Sequence, residues 1–168
     1  MTPARLERFE RSLRELGASA ERVDPDATAE ALEEAVDEPA VGVPIEGVSL
    51  PDGVETDPTP SDLEAAVTGI TPAAFGIAET GTVALPSTAA GIEPVSLYPE
   101  RHVAVLEESQ LLETLSAGLE RVQSEFARGE RSLVFATGRS STADMGALVH
   151  GVHGPRSVHV LVLGETDE

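Results

Sequence analysis

Apolar positions follow two different periods along this chain. In residues 3–16, Leu6, Phe9, Leu13 and Leu16 recur at helical spacing, and Gly17 suits the C-terminal cap of that helix. The other face carries Arg5, Glu7, Arg8, Glu10, Arg11, Arg14 and Glu15, which reads as a solvated face laced with ion pairs or as a docking surface for a partner. A short strand is predicted at 20–23. A helix follows, capped by Asp26 or Thr28 and running to about Val36. Residues 40–43 read as a buried strand. Residues 44–60 are rich in Pro, Gly and Asp and read as loop. Ser61-Asp62-Leu63-Glu64 has the spacing of a capping box, which opens another short helix at Pro60 or Ser61.

The second half is more regular. Strands are predicted at 74–78 and 82–85, joined at Glu79-Thr80-Gly81, with the second open to an antiparallel placement. Residues 102–106 form a buried strand. Ser109 is expected to cap a long helix reaching Ala127, with Leu111, Leu112, Leu115, Leu119, Val122 and Phe126 on its apolar side. Strands at 133–136 and 158–163 complete the pattern. Strands that alternate with helices predict an α/β fold, a three-layer sandwich on a mostly parallel sheet. The 168 residues suffice for one domain, with N-terminal helices and loop at 1–68 and a core at 69–164.

Charge changes this picture. The chain nets −19, and all 11 basic residues are Arg. The acids are spread along the chain, a pattern expected of a protein adapted to concentrated salt; the alternative is a basic partner. With 3% aromatics and this charge, the surface does not suit nucleic acid. Cysteine is absent, which excludes disulfides and thiolate-held clusters in this chain. No apolar run reaches the roughly 20 residues of a membrane span. The charged N-terminal stretch is unlike a signal peptide, and a cytoplasmic location is expected. Residues 131–164 break the charge rule. They hold one acid, Asp144, against Arg131, Arg139 and Arg156 and three histidines. Such a stretch is either buried or meets something negative.

Three segments could carry chemistry. Phe135-Ala136-Thr137-Gly138-Arg139-Ser140-Ser141-Thr142-Ala143-Asp144 ends a strand in Gly, Arg and hydroxyl residues, a set that favours an anion. The plain alternative is a turn in which Ser141 or Thr142 caps a helix and Asp144 lies in its first turn. His150-Gly151-Val152-His153-Gly154 forms a tight loop. A metal there would need a third ligand such as Asp144 or Glu79, whereas a backbone-fixing role needs none, and no metal is expected. Glu79 lies between two apolar strands and could serve as base or nucleophile, or could tie the turn to backbone.

Phe75-Gly76-Ile77-Ala78-Glu79-Thr80-Gly81-Thr82 resembles the Glu-Thr-Gly-Thr motif of the LUD-domain family, the lactate utilization proteins of LutC/YkgG type. Pro99-Glu100-Arg101-His102-Val103, Ser141-Thr142-Ala143-Asp144, Gly151-Val152-His153-Gly154-Pro155 and Val158-His159-Val160 are similar to its other signatures. The resemblance implies a fold like the NagB/RpiA/CoA-transferase group and a place in a three-component L-lactate oxidation system. The iron–sulfur clusters would reside in LutA/LutB-like partner subunits, and this chain would hold no cofactor. Glu79, Asp144 and His153 are then candidate catalytic residues. Thr80, Gly81, Thr82, Gly138, Arg139, Ser140, Ser141, Thr142 and Gly154 are candidate ligand-binding residues. Two other functions stay open: a stand-alone CoA-transferase-like or sugar-phosphate enzyme using Glu79, and a non-catalytic ligand-sensing module.

The charge pattern yields a direct test. Carboxylates repel one another over about 10 Å at 0.1 M salt but only about 3 Å at 1 M. The chain is expected to lose its far-UV circular dichroism on dialysis into dilute buffer and to keep it in molar salt; a full native spectrum in dilute buffer would refute salt adaptation.

Overall fold

The computed structural model describes residues 3–144 and 147–164. Helix α1 (Pro3–Glu15) is followed by strand β1 (Ser19–Val23), helix α2 (Thr28–Ala35) and strand β2 (Ala40–Gly42). Strand β3 (Val54–Glu55), helix α3 (Pro60–Ala65) and strand β4 (Thr68–Pro72) come next. Strands β5 (Phe75–Ile77) and β6 (Thr82–Pro86), helix α4 (Ile92–Leu97) and strand β7 (Arg101–Glu107) follow. The chain continues through β8 (Leu111–Leu112), α5 (Leu115–Ala127), β9 (Leu133–Thr137), β10 (Ser141–Asp144), β11 (Ala147–His150) and β12 (Ser157–Leu163).

Six strands form one sheet in the order β1-β12-β7-β4-β2-β3, and every pairing in it is parallel. The fold is α/β, as the alternation of elements predicts. Both faces of the central strands are covered, which is why β7 and β12 read as continuous apolar runs. On one face Leu32 and Ala35 of α2 pack against Ile70, Val103, Val105 and Leu161. On the other, Phe9 and Leu13 of α1 and Ile92 and Val95 of α4 meet Ala104, Leu106, Val158 and Val160. Burying Phe9 or Leu13 in this way contributes roughly 1.5–3 kcal/mol each.

A second, four-stranded sheet, β8-β5-β6-β9, stacks on the α1/α4 side. Val83 and Leu85 of β6 face the shared core, while Phe75, Ile77 and Ala84 point outward to Leu112 and to Val122 of α5. The strand at Thr82 is antiparallel to both β5 and β9. Strands β10 and β11 form a separate hairpin.

Several local expectations are corrected. The helix expected from Ser109 begins instead at Leu115, capped by the Thr114 side chain, which accepts from Ala117 N at 3.2 Å. Leu111 and Leu112 are drawn into strand pairing with Gly76 and Ile77. Their apolar character serves a sheet and not a helix stripe. Neither Asp26 nor Thr28 caps α2. A 3-10 turn at Pro25–Ala27 runs straight into it, and Thr28 Oγ1 donates back to Asp24 O at 3.4 Å. Helix α3 starts at Pro60, one of the two positions expected, but its capping box belongs to Thr59 and Asp62, two residues before Ser61 and Glu64, because Pro60 occupies the first helical position. Helix α4 is absent from the sequence reading.

The sheets and helices approach closely at several glycines. A side chain at Gly76 would meet Leu106 of β7 and Leu111 of β8. At Gly69 of β4 a Cβ would run into the Val95 carbonyl oxygen of α4, which is backbone and cannot swing aside. Among the described residues no helix is long and apolar enough to cross a membrane.

The Gly69 contact predicts that Gly69→Ala lifts α4 off the sheet at a cost of about 1–3 kcal/mol, measured as a lowered thermal midpoint in high-salt buffer. An unchanged midpoint would show that α4 is free to shift.

Candidate functional site

The amino ends of β7 and β12, the C-terminal turn of α4 and the end of β9 enclose a cavity of about 280 Å³. Its floor and walls come from Leu85, Ser96, His102, Val134 and Val158, and its mouth from Thr137, Gly138, Arg139, Ser140, Ser141, His153 and Gly154. Strand β9 leaves the small sheet at Thr137, and Gly138, at φ 71°, turns the chain tightly against Leu16 at the end of α1. Arg139 then lies across Gly17, where a Cβ would come within 2.6 Å of its Nε. The guanidinium thus sits by the negative end of the α1 dipole. A second hollow on that side is lined by Glu15, Thr137, Arg139, Ser141 and His150, so Arg139 stands between the two.

Backbone bonds hold the mouth in shape. Ser140 N donates to Pro155 O at 2.9 Å, and Gly151 N donates to Ser140 O at 3.1 Å. Ser141 Oγ and His150 Nδ1 lie 3.0 Å apart. No helix starts at Ser141 or Thr142. Both enter the hairpin, where Ser141 faces His150 and Thr142 faces Val149. The anion-binding features available here are the Arg139 side chain and the hydroxyls, without a helix dipole.

The floor holds a residue that lies in a predicted strand and in one of the family segments but is not among the candidate site residues. His102 is 1% exposed, and its Nε2 lies 2.8 Å from Thr71 Oγ1, itself fully buried. Burial lowers the His102 pKa to about 4, so the ring is neutral at neutral pH. The signal was present: a titratable residue inside a strand covered on both faces must find a polar partner or a cavity. Thr137 was likewise missed as a lining residue.

The candidate residues come together only in part. Gly138, Arg139, Ser140, Ser141, His153 and Gly154 gather at the mouth. Thr142 is outside the lining, and the side chain of Asp144 lies outside the described residues. Thr80, Thr82 and Thr137 form a hydroxyl relay, Thr80 Oγ1 to Thr82 Oγ1 and on to Thr137 Oγ1, each step 2.7 Å. The Glu-Thr-Gly-Thr hairpin therefore touches the mouth through Thr137. Glu79 turns elsewhere. Its Oε2 accepts from Leu115 N at 2.8 Å and its Oε1 faces Arg8 at 3.5 Å. This carboxylate satisfies a free amide at the start of α5 and ties α1 to it. Gly81 packs on the α1 backbone at Ser12 and Leu13.

Two further hollows, of about 330 and 360 Å³, open at the carboxyl edge of the parallel sheet, the usual ligand side of such sheets. Glu46 and Glu107 line both, with Glu108 in the first and Glu125 in the second. Arg121 is occupied by Glu125 at 2.6 Å and Gln110 at 3.0 Å. Carboxylates dominate that edge, so an anion is favoured at the Arg139 cavity instead. Among the described residues no three His, Asp or Glu side chains converge as a metal site would require.

Comparison with known proteins agrees with the motifs. A family model described as the LUD domain matches residues 54–163. Lactate utilization protein C of Deinococcus radiodurans is 35% identical over 170 residues, covering 95% of this chain and 79% of that protein. Lactate utilization protein C of Halalkalibacterium halodurans is 35% identical over 122 residues, 70% of this chain. The uncharacterized protein YkgG of Escherichia coli is 34% identical over 107 residues, 61% of this chain. The matches span 53% and 45% of those last two proteins, about half their length. A crystal structure of a DUF162 family protein from Deinococcus radiodurans superposes with a TM-score of 0.73 at 27% identity, covering 98% of this chain and 99% of that one.

The neutral buried imidazole makes stability depend on pH. His102 takes up a proton near 6.5 when unfolded but only near 4 when folded. Its contribution, on the order of 3 kcal/mol, is complete above pH 6.5 and shrinks as pH falls toward 4. Acid titration of His102→Gln is expected to show a shallower loss of stability across that window. Parallel curves for the two proteins would place the acid sensitivity elsewhere.

Proposed function

The chain belongs to the LUD domain family, and from that premise we propose that it is a LutC-like component of an L-lactate utilization system, binding a small anionic ligand and leaving redox chemistry to its partners. The observation that carries this reading is the cavity with Arg139, Ser140 and Ser141 at its mouth. A guanidinium packed over Gly17 and flanked by hydroxyls can grip a carboxylate or phosphate with charge-assisted bonds. His153 and Gly154 complete the rim. Asp144 follows Thr142 on β10 and is proposed to act with His153 on the bound group.

The absence of cysteine means that any iron–sulfur cluster in such a system is held by other subunits. The proposed partners are therefore LutA/LutB-like iron–sulfur proteins, and the charged outer face of α1 is the proposed contact.

A stand-alone CoA-transferase-like or sugar-phosphate enzyme would need Glu79 free to attack a bound acyl or sugar group. The Glu79 carboxylate is instead engaged by Leu115 N and Arg8. A pure sensing module would use the same cavity and differs only in lacking partners.

Calorimetry in molar salt, with short carboxylates and phosphate esters as probes, tests the binding. Arg139→Ala is expected to weaken the best of them by about 1.5–3 kcal/mol, and equal binding by the two proteins would dismiss the site. Purification from native cells at high salt should bring down cluster-bearing oxidoreductase subunits with the chain.

A further inference from the structure

We propose that His102, held by Thr71, is a ligand-binding residue at the floor of the Arg139 cavity, and that it selects a short monoanion carrying an uncharged polar group at its far end. This deepens the proposed function and rests on its anion site. The cavity is asymmetric. Its mouth presents Arg139 with Ser140 and Ser141, whereas its buried lining is His102 with Leu85, Ser96 and Val158. A ligand of the right length meets a cation at one end and a neutral hydrogen-bonding group at the other.

Thr71 and His102 stand on adjacent strands, and the 2.8 Å bond engages the ring at Nε2. Thr71 and His102 are 0% and 1% exposed, so this pair is part of the rigid core and not a mobile rim. A buried polar side chain that lines a cavity, as His102 does, favours a ligand able to hydrogen-bond there over one that leaves it unmatched. A ligand with a methyl or methylene at that end gains no such bond. A ligand with a second carboxylate meets an imidazole without charge and walls of Leu and Val, and pays the desolvation of its anion without a counter-charge. The volume, about 280 Å³, sits just below the range of roughly 300–1,000 Å³ typical of drug-sized ligands. A hollow of this size holds a small metabolite whole.

Three probes of nearly equal length separate the possibilities: 3-hydroxypropionate, whose hydroxyl lies at the end opposite its carboxylate, propionate, which has a methyl there, and malonate, which has a second carboxylate there. Calorimetry on the intact chain in molar salt is expected to rank 3-hydroxypropionate about tenfold or more above both others. In His102→Leu the 3-hydroxypropionate-to-propionate ratio is expected to fall to near one while propionate binding stays, and His102→Gln is expected to keep part of the preference. Equal binding of 3-hydroxypropionate and propionate by the wild-type chain overturns the role of His102 but leaves the Arg139 site standing, and it does so even if the Leu variant fails to fold. Tighter binding of malonate overturns the neutral floor. Failure of all three to bind overturns the anion site itself, and this inference with it. A variant that folds, lacks the imidazole and still discriminates assigns the preference to another residue and refutes the proposal.

Discussion

The spacing between the two sheets is set where β5 crosses β7. Gly76 has no side chain because Leu106 and Leu111 already fill the place it would occupy, with Phe9 of α1 behind them. Any larger residue would pry the layers apart. The same closeness brings the end of β9 over the beginnings of β7 and β12, which run past it in the other sheet. The cavity is the gap left at the sheets' edge, roofed by the turn at Gly138 and closed from the side by α4. Gly69 sets the height of α4 in the same way, by admitting its backbone directly onto β4. The site is therefore a product of packing geometry first and of residue chemistry second.

Charge then decides which hollow can take an anion. Thirty acids against 11 arginines leave most of the surface negative, and at the carboxyl edge of the parallel sheet Glu46, Glu107, Glu108 and Glu125 keep it so. The usual rule for α/β sheets points to that edge, but the rule concerns strands of the main sheet. Thr137 and Arg139 follow a strand of the second sheet, whose carboxyl end lies beside the amino ends of the first.

What could be read from the sequence follows from what is local. The α1 stripe was legible because Phe9 and Leu13 face one core at helical spacing. The parallel sheet was legible because β7 and β12 are buried on both faces and show it in their composition. Leu111 and Leu112 misled because strand pairing with β5 is a tertiary event, invisible in a window that also suits a helix. The second sheet was hidden for the same reason. Helix α4 was hidden because it has six residues, includes Pro94 and follows Gly91 in a left-handed conformation. At the site, Arg139 and its hydroxyl neighbours were legible by residue type. The hairpin at Ser141 was not, since the same Ser and Thr run suits a helix cap equally well.

The Glu-Thr-Gly-Thr segment shows how a motif can be specific without being chemical. Three of its four residues meet different parts of the scaffold, and Thr80 braces one of them. Glu79 binds the first amide of α5 and faces Arg8 of α1. Thr80 bonds to Thr82, Gly81 leaves room for the α1 backbone, and Thr82 bonds to Thr137. Removing the Glu would free an amide, replacing the Gly would displace a helix, and losing either Thr would break the relay. The last fault would be felt at Thr137, two residues before Arg139. A segment that joins α1, α5 and β9 at one point restricts its own residues as tightly as a catalytic group would, and a reading from residue types alone has no means to separate the two.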